Sequence, residues 1–315
     1  MRVFVAGGGG VIGKRLLPQL IARGHEVVAT SRNPEKADAL RALGAEPLVM
    51  DGLDATSVGN AVARAEPEAI AHQMTALAGV ADLKHFDEAF AVTNELRTAG
   101  TDHLLAAAEA VGVRRFVAQS YTGWPNARTG GAVKTEDDPL DPQPPGEQAK
   151  SLAAIRYLER AVLGAPLDGI VLRYGSFYGP HVLDQIVDLV RKRRLPLVGA
   201  GGGVWSWIQI DDAAAATVAA LEGGPAGVYN VVDDEPAPVS EWLPYLAECV
   251  GAKPPRRVPA WLARFAVGEV GISIMTEIRG ASNAKAKAQL GWEPRWRSWR
   301  DGFRHALLEP AEAAA

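Results

Sequence analysis

Residues 2–13 read RVFVAGGGGVIG. A short apolar run enters glycines spaced Gly7-x-x-Gly10-x-x-Gly13, and an apolar-periodic stretch (Val11, Ile12, Leu16, Leu17, Leu20, Ile21) leaves them. Strand, tight turn and helix in that order is the setting in which such glycines form a dinucleotide site. One glycine makes the turn, one lets backbone N–H groups approach a pyrophosphate, and one lets the helix pack close on the strand. The helix N-terminus adds partial positive charge for the phosphates. Gly7, Gly10, Val11, Ile12 and Gly13 are therefore candidate cofactor contacts. Pro18 fits this helix badly. Either it bends the helix, or packing holds the helix despite the lost hydrogen bond.

The alternation continues through the first half. Expected strands are RVFVAG, HEVVATSR, EPLVMD, AIAHQMT and RRFVAQS; expected helices are 11–23, 34–43, 55–65 and one long helix over 86–111. This rhythm predicts a doubly wound parallel sheet of Rossmann type with helices on both faces. Residues 123–147 break it with Pro, Gly and acid, and read as a long loop over a cleft or as a plain connector. A helix over 148–163, a strand GIVLRYGSFYG, a helix over 182–194, SWIQIDDAAAATVAALEG as strand into helix, and the strand GVYNVVDD follow. The expected organisation is a dinucleotide-binding domain over 1–173, to which 205–230 returns, with 174–315 mainly a smaller substrate lobe.

Composition excludes several classes. The chain of 315 residues has 48% hydrophobic and 22% charged residues and a formal net charge of −4. Charges of both signs are interspersed, so nothing points to nucleic acid or an anionic membrane. The basic run Arg191–Arg194 reads as a solvated helix end. Cys249 is the single cysteine, and the histidines show no ligand spacing, so no metal is expected. The first strand starts at residue 2, leaving no room for a signal peptide, and no apolar run has membrane-spanning length. A cytoplasmic protein is the expectation.

Taken in order, these stations resemble the extended short-chain dehydrogenase/reductases, also called the NAD-dependent epimerase/dehydratase family. They are the glycine turn, Asp51-Gly52-Leu53, AHQMT with His72, Asn94 with Gly100-Thr101, RRFVAQS, Lys150, LRYGSFYGP, IQIDDAAAA, VYNVVDD and AKAKAQLGWEP. The resemblance spans nearly the whole chain. It implies that Asp51, Gly52 and Leu53 flank an adenine, that His72 lies near the cofactor, and that Tyr174 contacts it. It also implies a homodimer joined by the helices near 94–111 and after Lys150, with Leu104, Leu105, Leu152, Ile155 and Leu158 as candidate contacts.

The resemblance implies a catalytic set as well: a Ser or Thr after the fifth strand, and a Tyr-x-x-x-Lys pair one helical turn apart. Lys150 stands at the expected place, where the resemblance implies that it holds the nicotinamide ribose of the cofactor, but four residues earlier is Gly146, which carries no proton donor. At the serine station the chain reads Ser120-Tyr121-Thr122. Tyr121 is the candidate proton donor, with Ser120, Thr122 and Lys150 around it; a bound water is the alternative acid. The arginine that sugar-nucleotide members carry before the Asp-Asp station is absent, and Trp205 and Trp207 stand there instead. Trp124, Tyr178 and Trp205 are candidate substrate contacts, suited to an apolar molecule.

The second strand ends Thr30-Ser31-Arg32, with no carboxylate to meet a ribose 2′-hydroxyl. Ser31 and Arg32 can meet a 2′-phosphate, which favours NADP(H) over NAD(H). The functional expectation is an NADP(H)-dependent oxidoreductase acting on a carbonyl or alcohol of a small, fairly apolar molecule. Two alternatives stand beside it. One is a non-redox epimerase, dehydratase or isomerase with tightly held NAD(P). The other is a non-catalytic NAD(P)-binding regulator.

Overall fold

The computed structural model describes residues 1–77, 82–305 and 307. Seven strands form one parallel sheet: β1 (Arg2–Ala6), β2 (Glu26–Ser31), β3 (Glu46–Val49), β4 (Ala69–His72), β5 (Arg115–Tyr121), β6 (Asp168–Tyr174) and, further along the chain, β9 (Gly227–Val231). Their spatial order is β9-β6-β5-β4-β1-β2-β3. The order reverses at β1, and open parallel sheets place ligands at such a switch point, outside the carboxyl ends of the strands. Both faces are covered, which is why the central strands are almost continuously apolar. One face packs Leu16, Leu17, Leu20, Ala213, Ala216 and Leu221. The other packs Val58, Val62, Leu104, Ala108, Leu158 and Val162.

Helix α1 (Val11–Ala22) runs unbroken through Pro18, with Leu16, Leu17 and Leu20 buried against the sheet. Packing therefore replaces the bond that Pro18 cannot make. After α2 (Ala37–Ala42) and α3 (Ala55–Ala65), the long helix expected over 86–111 is instead three: α4 (Phe86–Ala89), α5 (Ala91–Arg97) and α6 (Ala99–Val111). Thr98 explains the second break. Its hydroxyl donates to the carbonyls of Asn94 (3.0 Å) and Glu95 (3.3 Å), and its ψ is −89°. Such side-chain bonds compete with helix continuation.

The expected strand over GIVLRYGSFYG divides at Gly175. β7 (Ser176–Tyr178) leaves the main sheet and pairs with β8 (Trp207–Gln209). A Cβ on Gly175 would lie 2.6 Å from the Ser206 carbonyl oxygen, so the two segments cross too closely for a side chain. Of residues 205–230, β9 joins the main sheet as its edge strand, and 213–221 pack on the sheet's face through Ala213, Ala216 and Leu221. A third core fills the C-terminal part, from Tyr178, Trp207, Trp242, Trp299 and Phe303.

The leucines considered for a dimer contact face inward. Leu104, Leu152, Ile155 and Leu158 are all buried within the protein's own core, and Leu105 is partly so. Among the described residues, no helix is long and apolar enough to cross a membrane.

Candidate active site

The glycine turn carries out the packing roles that its sequence suggests. Gly7 has φ +89°, a left-handed conformation that glycine adopts without cost. A Cβ on Gly13 would overlap the Gly8 carbonyl, so only glycine lets α1 start this close to the turn. The Gly10 N–H donates to Gly7 O (3.0 Å), and Gly10 is the N-cap of α1. Val11 is exposed at the helix start, while Ile12 packs inward.

Ser31 closes β2, and its hydroxyl accepts from the Asn33 N–H (3.1 Å). Arg32 is exposed beside it. Lys36 was not foreseen, yet its Nζ donates to the Gly9 carbonyl (3.2 Å), over the glycine turn. The signal was present in the sequence as a second cation one helical turn after Arg32. Asp51 accepts from the Leu53 N–H (3.0 Å), shaping the turn after β3, and Gly52 O meets His103 Nδ1 (3.2 Å).

His72 lies fully inside. Met74 N–H donates to its Nδ1 (3.3 Å), leaving Nε2 to donate to Thr101 Oγ1 (3.2 Å). Burial, aided by the nearby Arg97 charge, lowers its pKa to about 4, so the ring is neutral. It braces the segment after β4. Tyr174 is also in the core. Its hydroxyl pairs with Thr217 (2.6 Å), and burial pushes its pKa up to about 12. Gln73 Nε2 reaches that hydroxyl at 3.5 Å. Gln73 O in turn stands against Gly7, where a Cβ would lie 2.8 Å away. Tyr174 thus supports the glycine turn from below.

The structure separates the Ser120-Tyr121-Thr122 triplet. Successive strand residues point to opposite faces. Ser120 is buried on the α7 (Ala149–Gly164) side, donating to Glu159 Oε1 (2.8 Å). Glu159 is held by Arg173 through two bonds of 2.8 and 2.7 Å. Arg97 lies nearby, fully buried, its pKa lowered to about 10 by desolvation. Thr122 accepts from Asn126 Nδ2 (3.0 Å), which fixes the start of the 123–147 loop. Ser120 and Thr122 are thus engaged away from Tyr121.

Tyr121 sits in an apolar cluster with Trp124, Phe86, Leu152, Ile155, Val270 and Ile274. Its hydroxyl pairs with Ser176 Oγ (2.9 Å), a partner that sequence reasoning missed. Burial raises the phenol pKa, and the Ser176 bond offsets only part of that rise. The group is therefore protonated at neutral pH, a donor rather than a phenolate. Lys150 is exposed at the start of α7, where its backbone N–H donates to Asp87 Oδ2 (2.9 Å). The same carboxylate accepts from Ser151 N–H (2.8 Å) and Oγ (2.6 Å) and so caps α7.

Of the candidate substrate contacts, Trp124 joins Tyr121, with ring centroids 6.3 Å apart. Trp205 walls off the same cluster. Its indole N–H donates to Ile274 O (3.1 Å), and its ring stacks on Trp207 at 5.3 Å. Tyr178 is instead fully buried in the C-terminal core against Phe303 (5.4 Å) and Trp207. The structure does not bring it to Tyr121.

The 123–147 loop straps the two parts of the protein together. Residues 133–134 pair with 280–281, Asn126 Nδ2 donates to Arg279 O (3.1 Å), and Arg128 Nε donates to Ser273 Oγ (2.9 Å). Arg128 also pairs with Asp141 inside the loop.

The profile of the NAD dependent epimerase/dehydratase family matches residues 3–231. A 3-diazoavenalumate denitrifying reductase from Streptomyces sp. is 46% identical over 310 residues, covering 96% of this chain and 99% of the relative. A 2-alkyl-3-oxoalkanoate reductase from Stenotrophomonas maltophilia is 29% identical, covering 86% and 82%. Among solved structures, the Thermus thermophilus UDP-glucose 4-epimerase with NAD superposes with a TM-score of 0.74 at 26% identity, covering 98% of each chain.

Proposed function

The chain belongs to the NAD dependent epimerase/dehydratase family, and from that premise we propose that this oxidoreductase passes hydride from NADPH to a small, largely apolar aromatic molecule. The observation that carries this reading is the cluster around Tyr121. It is an aromatic wall at the carboxyl end of the sheet, with one protonated hydroxyl in it. The glycine turn would hold the pyrophosphate, and the exposed cations Arg32 and Lys36 would meet a 2′-phosphate. The cofactor supplies the hydride.

Two acceptors are proposed. One is an aryl diazonium group, the chemistry that the name of the 46% identical relative suggests. Its balance is ArN2⁺ + NADPH → ArH + N2 + NADP⁺. No proton is consumed, so Gly146 in the usual tyrosine position is no handicap. The other is a ketone, as in the oxoalkanoate reductase. There the alkoxide must gain a proton, and Tyr121 with Ser176 is placed to give one.

Stopped-flow NADPH oxidation with an arenediazonium salt and with an aryl ketone tests both in wild type and Tyr121→Phe. Ketone reduction should fall on the order of 10²–10⁴-fold in the variant. Diazonium reduction should persist. If neither compound oxidises NADPH, the reductase reading fails. A cytoplasmic homodimer completes the proposal, supported by the exposed apolar Val111 and Leu163 on the outer faces of α6 and α7. A monomeric mass at micromolar concentration would refute the dimer.

A further inference from the structure

We infer that the protein docks on the surface of an anionic phospholipid bilayer, through Trp261, Leu262 and Phe265 and a basic patch that the fold assembles beside them from two parts of the chain. The inference is independent of which substrate the Tyr121 site takes.

Phe265 and Trp261 are the most exposed large apolar side chains among the described residues, at 74% and 69%, and Leu262 beside them is 48% exposed. They lie on the first half of the helix Ala260–Thr276, which kinks at Gly268 (φ +66°, ψ −173°). Ala263 and Val267 pack this half into the C-terminal core, to which Leu197 and Val198 also belong. Residues four apart share a helix face, so Trp261 and Phe265 stand together. At such exposure they project from the surface rather than line a groove. Clustered apolar exposure of this kind marks an interaction surface.

Charge says what the surface meets. Arg257–Val258 pairs in parallel with Leu197–Val198, and the Leu197 N–H donates to Arg256 O (2.9 Å). The approach to the helix therefore runs beside the chain that leaves the basic run 191–194. Arg191, Arg194, Lys253, Arg256 and Arg257 are exposed, and none has an ion pair among the described residues. Two more cations nearby are matched: Lys192 by Asp188 (2.7 Å) and Arg264 by Glu269 (3.0 Å). Of the remaining acids on the helices around the patch, Glu241 pairs with Arg300 (2.8 Å) and Asp184 starts the helix that Arg191 ends, which leaves Glu248. The overall charge of −4 conceals this local excess.

Basic side chains beside Trp, Leu and Phe make an interfacial anchor: the rings enter the headgroup layer and the cations meet lipid phosphates. A nucleic acid would satisfy the cations but leave Leu262 and Phe265 without apolar cover. A second copy about a two-fold axis would set the same cations against themselves.

Flotation of the full chain with vesicles tests this, using pure phosphatidylcholine and an equal mixture of phosphatidylcholine and phosphatidylglycerol. Wild type should float with the mixed vesicles, stay off the neutral ones, and bind more weakly at about 0.5 M salt. Arg256→Ala and Arg257→Ala should each lower the partition coefficient about fivefold, and together roughly 25-fold. Trp261→Ala combined with Phe265→Ala should lower it about tenfold or more. Brominated acyl chains should quench tryptophan fluorescence in wild type, and most of that quenching should vanish in Trp261→Ala. These side chains are exposed, so the variants should melt with wild type. No flotation with the mixed vesicles overturns the inference, as does equal flotation of the Trp261→Ala, Phe265→Ala protein. Retention on heparin without flotation would assign the patch to a soluble polyanion and overturn it too.

Discussion

At the scale of single residues, cofactor choice rests on two cations of different visibility. Arg32 follows β2 directly and can be read from the sequence. Lys36 becomes informative only once its Nζ is found on the Gly9 carbonyl. A 2′-phosphate beside Arg32 would draw on both. Arg32→Ala and Lys36→Ala should each weaken NADPH roughly five- to tenfold and leave NADH nearly unchanged, the modest size reflecting exposed, water-screened contacts. Fluorescence titration of both nucleotides checks this; equal losses for NADH and NADPH would remove these residues from the phosphate site. The Ser120-Tyr121-Thr122 triplet shows where residue reading stopped. Three hydroxyls adjacent in the chain look like one site. The strand's two-residue period sends Ser120 to Glu159, and Thr122 turns to Asn126, so Tyr121 finds its partner 55 residues away.

At the scale of elements, the strands of the sheet and the helices covering it were legible because apolar runs and helical periods recur there. What hid from the sequence were breaks caused by tertiary crossings and local side-chain bonds. Gly175 divides a strand because Ser206 passes beneath it, and nothing near Gly175 in the chain announces that neighbour. The 123–147 segment hid its role for the same reason. Its composition marks a loop, but its partners Ser273, Arg279 and residues 280–281 lie about 150 residues later. The strap depends on the largely buried Arg128–Asp141 pair. Asp141→Ala would leave the guanidinium without its main carboxylate and should cost roughly 2–4 kcal/mol. Urea unfolding would measure the loss. Unchanged stability would mean that Glu277, 3.8 Å from Arg128, already balances the charge.

At the scale of the whole molecule, the C-terminal core carries a buried acid that ties stability to pH. Asp233 follows β9. Its N–H donates to Trp207 O (2.7 Å), and its Oδ1 accepts from Glu235 N–H (3.1 Å). Its Oδ2 has no partner, nor has the buried hydroxyl of Tyr178, on which the Asp233 charge acts. Desolvation raises the Asp233 pKa well above 3.8, with Asp234 and Glu235 adding to the rise. The sign follows from proton counting. Between 3.8 and the folded value, the unfolded chain has released this proton and the folded protein keeps it. Stability therefore falls as pH rises through that window, and levels off above the folded pKa. Asp233→Asn keeps an oxygen for Glu235 and offers Tyr178 an N–H, but it cannot titrate. Its unfolding midpoint should match wild type near the bottom of the window and exceed it at neutral pH and above. Comparing the two proteins isolates Asp233 from Asp212, whose raised pKa contributes a slope of the same sign to both. Parallel pH profiles for wild type and variant would show that the carboxyl group is not protonated in the folded core.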